Sequence, residues 1–238
     1  MILKKGFQLD KFEQKALKTI KKYRMLKKND KVLVAVSGGP DSVALLNILL
    51  TLKTKYNLSL HVFHLDHMIR KEKSRKDAIF VKKLTDRLKL PRTILSFNVP
   101  VFSKELGYSL EEAGRKVRYK LYEKVSAQIK ADKIALGHQA DDQIETFLMR
   151  MIRGTGLEGL SGIPPRRGEK IIRPLIETSR DEIESYCFQK NIKFRTDETN
   201  LEGSNLRSKI RYYLLPYLLA YNRQFRKNIL NLINIVRE

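Results

Sequence analysis

Cysteine is nearly absent: Cys187 is the only one in 238 residues. A single thiol excludes an internal disulfide and any Cys-rich cluster or zinc site built by this chain alone. Ile183 and Tyr186 share its helical face, so it reads as a buried, inert thiol. No apolar run approaches membrane-spanning length, and Met1 to Gly6 hold no signal-peptide core. The chain is therefore expected in the cytoplasm, with no membrane partner. Acidic side chains are also scarce. Against 48 Lys and Arg stand 26 Asp and Glu, a formal net charge of +22, far beyond what solubility needs. Residues 1–28 carry ten basic and two acidic side chains, and residues 203–238 seven and one. Basic ends around a central region point to a polyanion, most simply RNA.

What is present begins with Ser37-Gly38-Gly39-Pro40-Asp41-Ser42. It follows the apolar run Val32–Val36 and precedes an amphipathic stretch, Val43 to Leu52. A strand, a glycine-rich turn and a helix in that order build a phosphate site. Gly38 and Gly39 let backbone N–H groups approach oxygen anions, and the helix adds its positive dipole end. Ser37 and Ser42 are expected to add hydroxyl donors. Asp41 would repel phosphate unless a cation lay between them, which suggests Mg²⁺ with a pyrophosphate. No lysine follows the glycines, so this is not a Walker loop.

Strands and helices alternate along the chain. Strands are expected at Lys31–Val36, Leu58–Leu65, Thr93–Val99 and Lys133–Leu136, with helices at Asp41–Thr54, Ser74–Leu90, Leu110–Lys130 and Asp141–Arg153. Such βα repetition predicts an α/β fold, a parallel sheet with helices on both faces. Ligands in these sheets sit beyond the carboxyl ends of the strands, where the Ser37 loop falls. Gly154 to Gly168, with five glycines and Pro164-Pro165, is expected to be a mobile loop.

Two helices carry polar groups that packing does not explain. After the capping pattern Ser109–Glu112, Leu110, Ala113, Val117, Leu121 and Val125 form a core stripe, with Glu111, Arg115, Arg118 and Tyr122 on a neighbouring face. In the next helix Ile144, Phe147, Leu148 and Met151 make the stripe. At about 100° per residue, Asp142 and Glu145 lie roughly 140° from its centre, joined by Arg153. Paired carboxylates there could hold an ammonium ion, help coordinate a metal, or simply form a solvated face. Other patterns carry less. Gly154–Gly159 fits GxGxxG but follows a helix instead of a strand. His61 and His64 would point to opposite faces of a strand, against a zinc trio with His67.

The Ser37–Ser42 hexapeptide resembles the SGGxDS loop of the N-type ATP pyrophosphatases, and the chain as a whole resembles tRNA(Ile)-lysidine synthetase. Besides that loop, the stretches that carry the resemblance are His64–Arg70, Glu111–Tyr119, Gly137–Thr146 and Arg153–Leu157, then Arg173-Pro174-Leu175, Asp197–Asn200 and Arg207–Arg211. They occur in family order and span most of residues 31–216. Ser208 departs from the family's RNxIR signature, where Asn is usual.

The resemblance implies an adenine nucleotide alpha hydrolase-like, PP-loop fold. Residues 1–215 would be its catalytic domain, with 216–238 a helical tail or the start of a linker to a further domain. It implies a ligase forming a carbon–nitrogen bond: ATP adenylates C2 of the wobble cytidine of tRNA(Ile), and free L-lysine then displaces AMP to give lysidine. Ser37, Gly38, Gly39, Pro40, Asp41 and Ser42 would hold ATP, with Asp41 on Mg²⁺. Asp142 and Glu145 would meet the lysine amine, and Arg118, Arg207 and Arg211 phosphate or base oxygens. Asp41, Arg118, Asp142, Glu145 and Arg207 are the expected catalytic set. Two other readings are a tRNA thiolase of the same superfamily, for which Cys187 alone is a poor candidate, and a non-catalytic basic nucleotide- or RNA-binding module.

Overall fold

The computed structural model describes residues 9–69, 71–195 and 205–238. In chain order these form α1 (Lys11–Lys22), β1 (Lys31–Ala35), α2 (Pro40–Tyr56), β2 (Ser59–Asp66), α3 (Lys71–Arg87) and β3 (Arg92–Ser96). Next come α4 (Val99–Leu106), α5 (Leu110–Gln128), β4 (Lys133–Ala135), α6 (Ala140–Arg153) and α7 (Leu157–Leu160). The rest comprises β5 (Arg166–Arg167), β6 (Ile171–Ile172), α8 (Arg180–Gln189), α9 (Leu206–Lys209), a π-helical turn Ile210–Leu214, α10 (Leu215–Tyr221) and α11 (Phe225–Arg237).

The strands form one sheet in the order β3-β2-β1-β4-β6-β5. All neighbours are parallel except β5 with β6. Alternation along the strands sends side chains to two cores. Val32, Val34, Leu60, Val62, Ala135 and Ile172 join α1, α2, α3 and α8 on one face. Leu33, Phe63, Leu65, Ile134 and Ile171 join α4 and α5 on the other. Each fully buried Val, Leu or Ile contributes roughly 1.5–3 kcal/mol, so the expected two-faced parallel sheet is what these apolar runs require.

Some expectations change. Val43 to Leu52 is not amphipathic: Val43, Ala44, Leu45, Leu46, Ile48, Leu49 and Leu52 are all buried, because α2 is packed between the sheet and α8. On α5 Leu110 is exposed while Tyr122 is buried, its ring edge-on to Phe63. Met151 of α6 is exposed. Val99 starts α4 instead of ending β3. Gly154–Gly168 is tied down by long-range bonds and contains α7 and β5. Arg150 Nη1 donates to the carbonyls of Gly159 and Gly162 at 2.7 and 3.1 Å. Gln143 both donates to and accepts from the backbone of Ile163. These bonds satisfy the polar backbone of a helix-poor stretch from outside it.

The chain after residue 205 packs on α6. Ile144, Phe147 and Leu148 meet Ile210, Leu215 and Ile233 in a third core. That packing places a second set of basic residues over α6. Among the described residues no helix is long and apolar enough to cross a membrane.

Candidate active site

Strand order reverses between β1 and β4, and the turns after these strands face each other at their carboxyl ends. Gly137 explains how closely: a Cβ there would lie 3.2–3.3 Å from the backbone of Asp41 and Ser42. The β1–α2 turn is the Ser37 loop. Gly38 has φ +102°, a region that L side chains rarely adopt, and Pro40 occupies the first turn of α2, where its missing N–H is no loss. The Ser42 hydroxyl accepts from the N–H groups of Ser37 and Gly38 at 3.1 and 3.2 Å and donates to the Gly39 carbonyl at 2.9 Å. Ser42 is thus an internal staple of the anion cradle, standing where a phosphate oxygen could accept the same two bonds. The backbone N–H of Arg195 caps the Gly38 carbonyl at 2.9 Å.

Asp41 is held where its charge is costly. Burial foremost, then the nearby Asp142 carboxylate, pushes its pKa from 3.8 up to about 7. Its Oδ1 is buried without a partner. An orphaned carboxylate oxygen beside a phosphate cradle fits a hard divalent cation. Among the described residues there is no cluster of three or more His, Cys, Asp or Glu that could hold a metal by itself, so the remaining ligands would be phosphate oxygens and water, the usual arrangement for Mg²⁺.

The second turn begins α6. The Gln139 side chain caps it, accepting from Asp141 N, and Asp142 returns a bond from Gln139 N at 2.9 Å. The Asp141–Asp142 pair divides its labour. Asp141 accepts from the first N–H of α8, Arg180 N, at 2.9 Å and pairs with Arg226 of α11; its role is to join elements. Asp142 and Glu145 face the loop side and are not a solvated face, since Glu145 is only 1% exposed. Arg207 spans both, with Nη2 2.7 Å from Asp142 Oδ1 and Nε 2.7 Å from Glu145 Oε2. Arg211 donates Nε and Nη2 to the two oxygens of Glu145 at 2.5 and 2.9 Å. Burial would lower both arginines' pKa values, but the two carboxylates raise them above the ordinary value. Arg153 is exposed and does not join this cluster.

Arg118 does not touch these carboxylates. Its Nε donates to the Gly114 carbonyl at 3.2 Å, and it lies within electrostatic reach of His138, as do Arg207, Arg115 and Arg173. His138 and Arg173, which the sequence motifs contain without a role, meet beside this cluster, Arg173 Nε lying 3.2 Å from His138 Nδ1. The signal was there for Arg173: a lone cation inside Ile171-Ile172-Arg173-Pro174-Leu175-Ile176, and it is 2% exposed. Arg70 and the Asp197–Asn200 motif lie outside the described residues. The histidine triplet is no metal site: His61 bonds Thr93 and His64 bonds the Val36 carbonyl at 2.8 Å.

The basic amino-terminal segment lies away from the loop. Lys27 and Lys28 precede β1, hence lie at the opposite end of that strand from the loop, roughly 15–20 Å away for five residues. Lys15 and Lys22 pair with Glu182 and Glu177.

The chain is 48% identical over 213 residues to tRNA(Ile)-lysidine synthase of Caldanaerobacter subterraneus, covering 90% of this chain and 45% of that protein. It is 39% identical over 230 residues to the enzyme of the same name from Thermosipho africanus, covering 97% and 52%. The chain thus spans about half the length of the curated relatives it matches. In shape it is similar to the U34-tRNA thiolase NcsA from Methanococcus maripaludis with its [4Fe-4S] cluster, with TM-score 0.75, 21% identity and coverage of 95% of this chain and 78% of that one. It also shares the fold of an NH3-dependent NAD synthetase from Campylobacter jejuni, with TM-score 0.52, 17% identity and 95% coverage of both chains. A family model described as a PP-loop domain matches residues 8–218, the span that carries both facing turns and Arg207 and Arg211, and the chain belongs to that family.

Proposed function

We propose that this chain carries the catalytic site of a tRNA(Ile)-lysidine synthetase, using ATP and free L-lysine to modify a wobble cytidine. One observation carries the reading: a PP-loop whose Asp41 Oδ1 is buried without a partner faces, across the β1–β4 switch point, two carboxylates already bound to guanidinium groups. The first half suits a nucleotide's pyrophosphate and the second a cationic substrate. Similarity to lysidine synthases at 39–48% identity supports the assignment.

In the first step the C2 oxygen of cytidine attacks the α-phosphorus of ATP and pyrophosphate leaves. The loop N–H groups and the α2 dipole stabilise the charge that gathers on the leaving group. Asp41 would hold Mg²⁺, which supplies further neutralisation there and restores the ionised form of Asp41. In the second step the lysine ε-nitrogen attacks C2, the C2–O bond breaks, AMP departs and the nitrogen gives up a proton. Asp142 is the entry point for the ammonium group, because its Oδ1 carries one guanidinium at 2.7 Å and a second only at 3.8 Å. As the ammonium arrives, Arg207 is released toward phosphate or base oxygens. Residues 1–215 would serve as the catalytic domain, with 216–238 a helical tail or the start of a linker.

A thiolase reading is disfavoured by chemistry. Sulfur carriage or cluster binding needs accessible thiolates, whereas Cys187 is the lone cysteine, is fully buried and has its pKa pushed up to about 11 by burial and by Asp41. The test is to incubate the full chain with ATP, Mg²⁺, labelled lysine and an unmodified tRNA(Ile) transcript. Incorporation of lysine with AMP release is expected; RNA-independent ATP turnover, or none, would reject the assignment.

A further inference from the structure

His138 ends the β4 turn with one ring edge closed and the other open. On the closed edge, Arg173 Nε lies 3.2 Å from His138 Nδ1. A guanidinium can only donate, so Nδ1 must be the bare, accepting nitrogen and the ring proton sits on Nε2. Arg173 is itself immobilised: Nη1 donates to the Pro164 carbonyl at 2.6 Å and Nη2 to the Tyr119 hydroxyl at 3.3 Å. Thus three elements, the Pro164 turn, α5 and the segment after β6, set the tautomer of one imidazole. On the open edge, nothing among the described residues bonds Nε2, and the residue is half-buried.

The surroundings decide what this edge can do. Burial foremost, then the charges of Arg173 beyond β6, Arg207 of α9, and Arg118 and Arg115 of α5, hold the His138 ring well below the ordinary histidine value. A second proton on the imidazole would add a fifth cation to that corner. A histidine barred from accepting a proton is a poor general base, but it remains a fixed N–H donor, and its neighbours mark a place for oxygen atoms bearing negative charge.

We propose that His138 is a substrate-binding catalytic residue, held as the neutral Nε2–H tautomer by Arg173, and that it donates its hydrogen bond to an oxygen of the group being transferred. Arg173 is its positioning residue. The acceptor is a phosphoryl oxygen of the nucleotide, where charge gathers as the adenylyl group moves. This rests on the adenylating reading of the site, although the tautomer itself does not.

Two measurements separate these layers. The first uses the full chain with ¹⁵N-labelled histidine and long-range ¹H–¹⁵N spectra, with His138 assigned by its loss in His138→Gln. The expected ring has a bare Nδ1 and a protonated Nε2 across the pH range in which an ordinary histidine gains its charge, and Arg173→Met abolishes that lock. Protonation at Nδ1, or titration near an ordinary histidine value, overturns the proposal whatever the enzyme does. The second compares RNA-dependent AMP formation. A glutamine amide can replace Nε2–H but cannot serve as a base, so His138→Gln should lose less than about tenfold and His138→Ala about 10²–10³-fold, as for an oxyanion donor. Weaker ATP binding by His138→Ala without RNA places the bond in the bound nucleotide; unchanged ATP binding with slow adenylation places it in the transition state. Equal loss in both variants, or no loss in either, rejects the donor role. Arg173 is buried, and if Arg173→Met does not fold, Tyr119→Phe, which removes one support of the arginine, should loosen the lock by a measurable tautomer mixture. A wild-type chain that shows the tautomer but forms no AMP would instead defeat the functional reading.

Discussion

The Ser37 loop and the α6 carboxylate cluster face each other, yet they are built in opposite ways. The loop closes on itself within six residues: Ser42 takes the N–H groups of Ser37 and Gly38, and its shape follows from two glycines and a proline. The cluster joins positions more than 60 residues apart, Asp142 and Glu145 with Arg207 and Arg211. A local turn tolerates loss of one functional side chain, whereas a buried ion network does not, because every removed partner strands a charge. Function and stability should therefore separate at the loop and be entangled at the cluster.

The largest effect on chemistry with the least harm to the fold is expected at Asp41. Asp41→Asn should lower Mg²⁺-dependent AMP formation about 10²–10³-fold, on the scale of losing one electrostatic group at a reacting centre. Wild-type rates would remove Asp41 from the mechanism. Stability should move the other way. The folded pKa, about 7, lies above the unfolded 3.8, so between these values the native state keeps a proton that the unfolded state has released. Stability conferred by that proton is complete at low pH and lost as pH rises through about 7. Asp41→Asn should accordingly melt several degrees higher than wild type near pH 8 without nucleotide, with little difference near pH 4. An unchanged pH slope in thermal melts would mean that Asp41 is ionised in the empty site.

Next comes Glu145→Gln, where the comparison can break. Three guanidinium bonds end on this carboxylate, and its loss should destabilise by about 3–5 kcal/mol, read as a fall in urea midpoint. Asp142→Asn leaves Glu145 to hold both arginines and should be milder in stability. Its main expected effect is on lysine, whose half-saturating concentration should rise about 10- to 100-fold for the loss of a charge-assisted hydrogen bond of roughly 1.5–3 kcal/mol, while that for ATP changes little. If Asp142→Asn loses ATP affinity alone, the cluster serves the nucleotide and the lysine assignment falls.

The smallest effect belongs to the amino-terminal charges. Lys21, Arg24, Lys27 and Lys28 are exposed, and replacing all four by Gln should leave ATP binding intact. If RNA phosphates reach this edge, the slope of log affinity against log salt should flatten by about one unit per lost contact. An unchanged slope would assign RNA binding to the site end of the sheet.

The amino-acid order by itself determined the repeating strands and helices, because apolar runs of this length can be buried only in a two-faced sheet. It also determined the phosphate turn, whose glycines, proline and serine interact within one turn of chain. Asp142 and Glu145 were legible as a pair three residues apart on one helix, but their partners were not. Period alone leaves a carboxylate pair either solvated or engaged, and only the packing of Ile210, Leu215 and Ile233 onto α6 brought Arg207 and Arg211 over them. The same holds for Asp141, adjacent in sequence to Asp142 but turned toward α8, and for α2, whose second apolar side had meaning only once α8 covered it. His138 shows the limit most clearly. Its protonation is settled by Arg173, a residue 35 positions away, since a hydrogen bond has direction and direction exists only after the chain has folded.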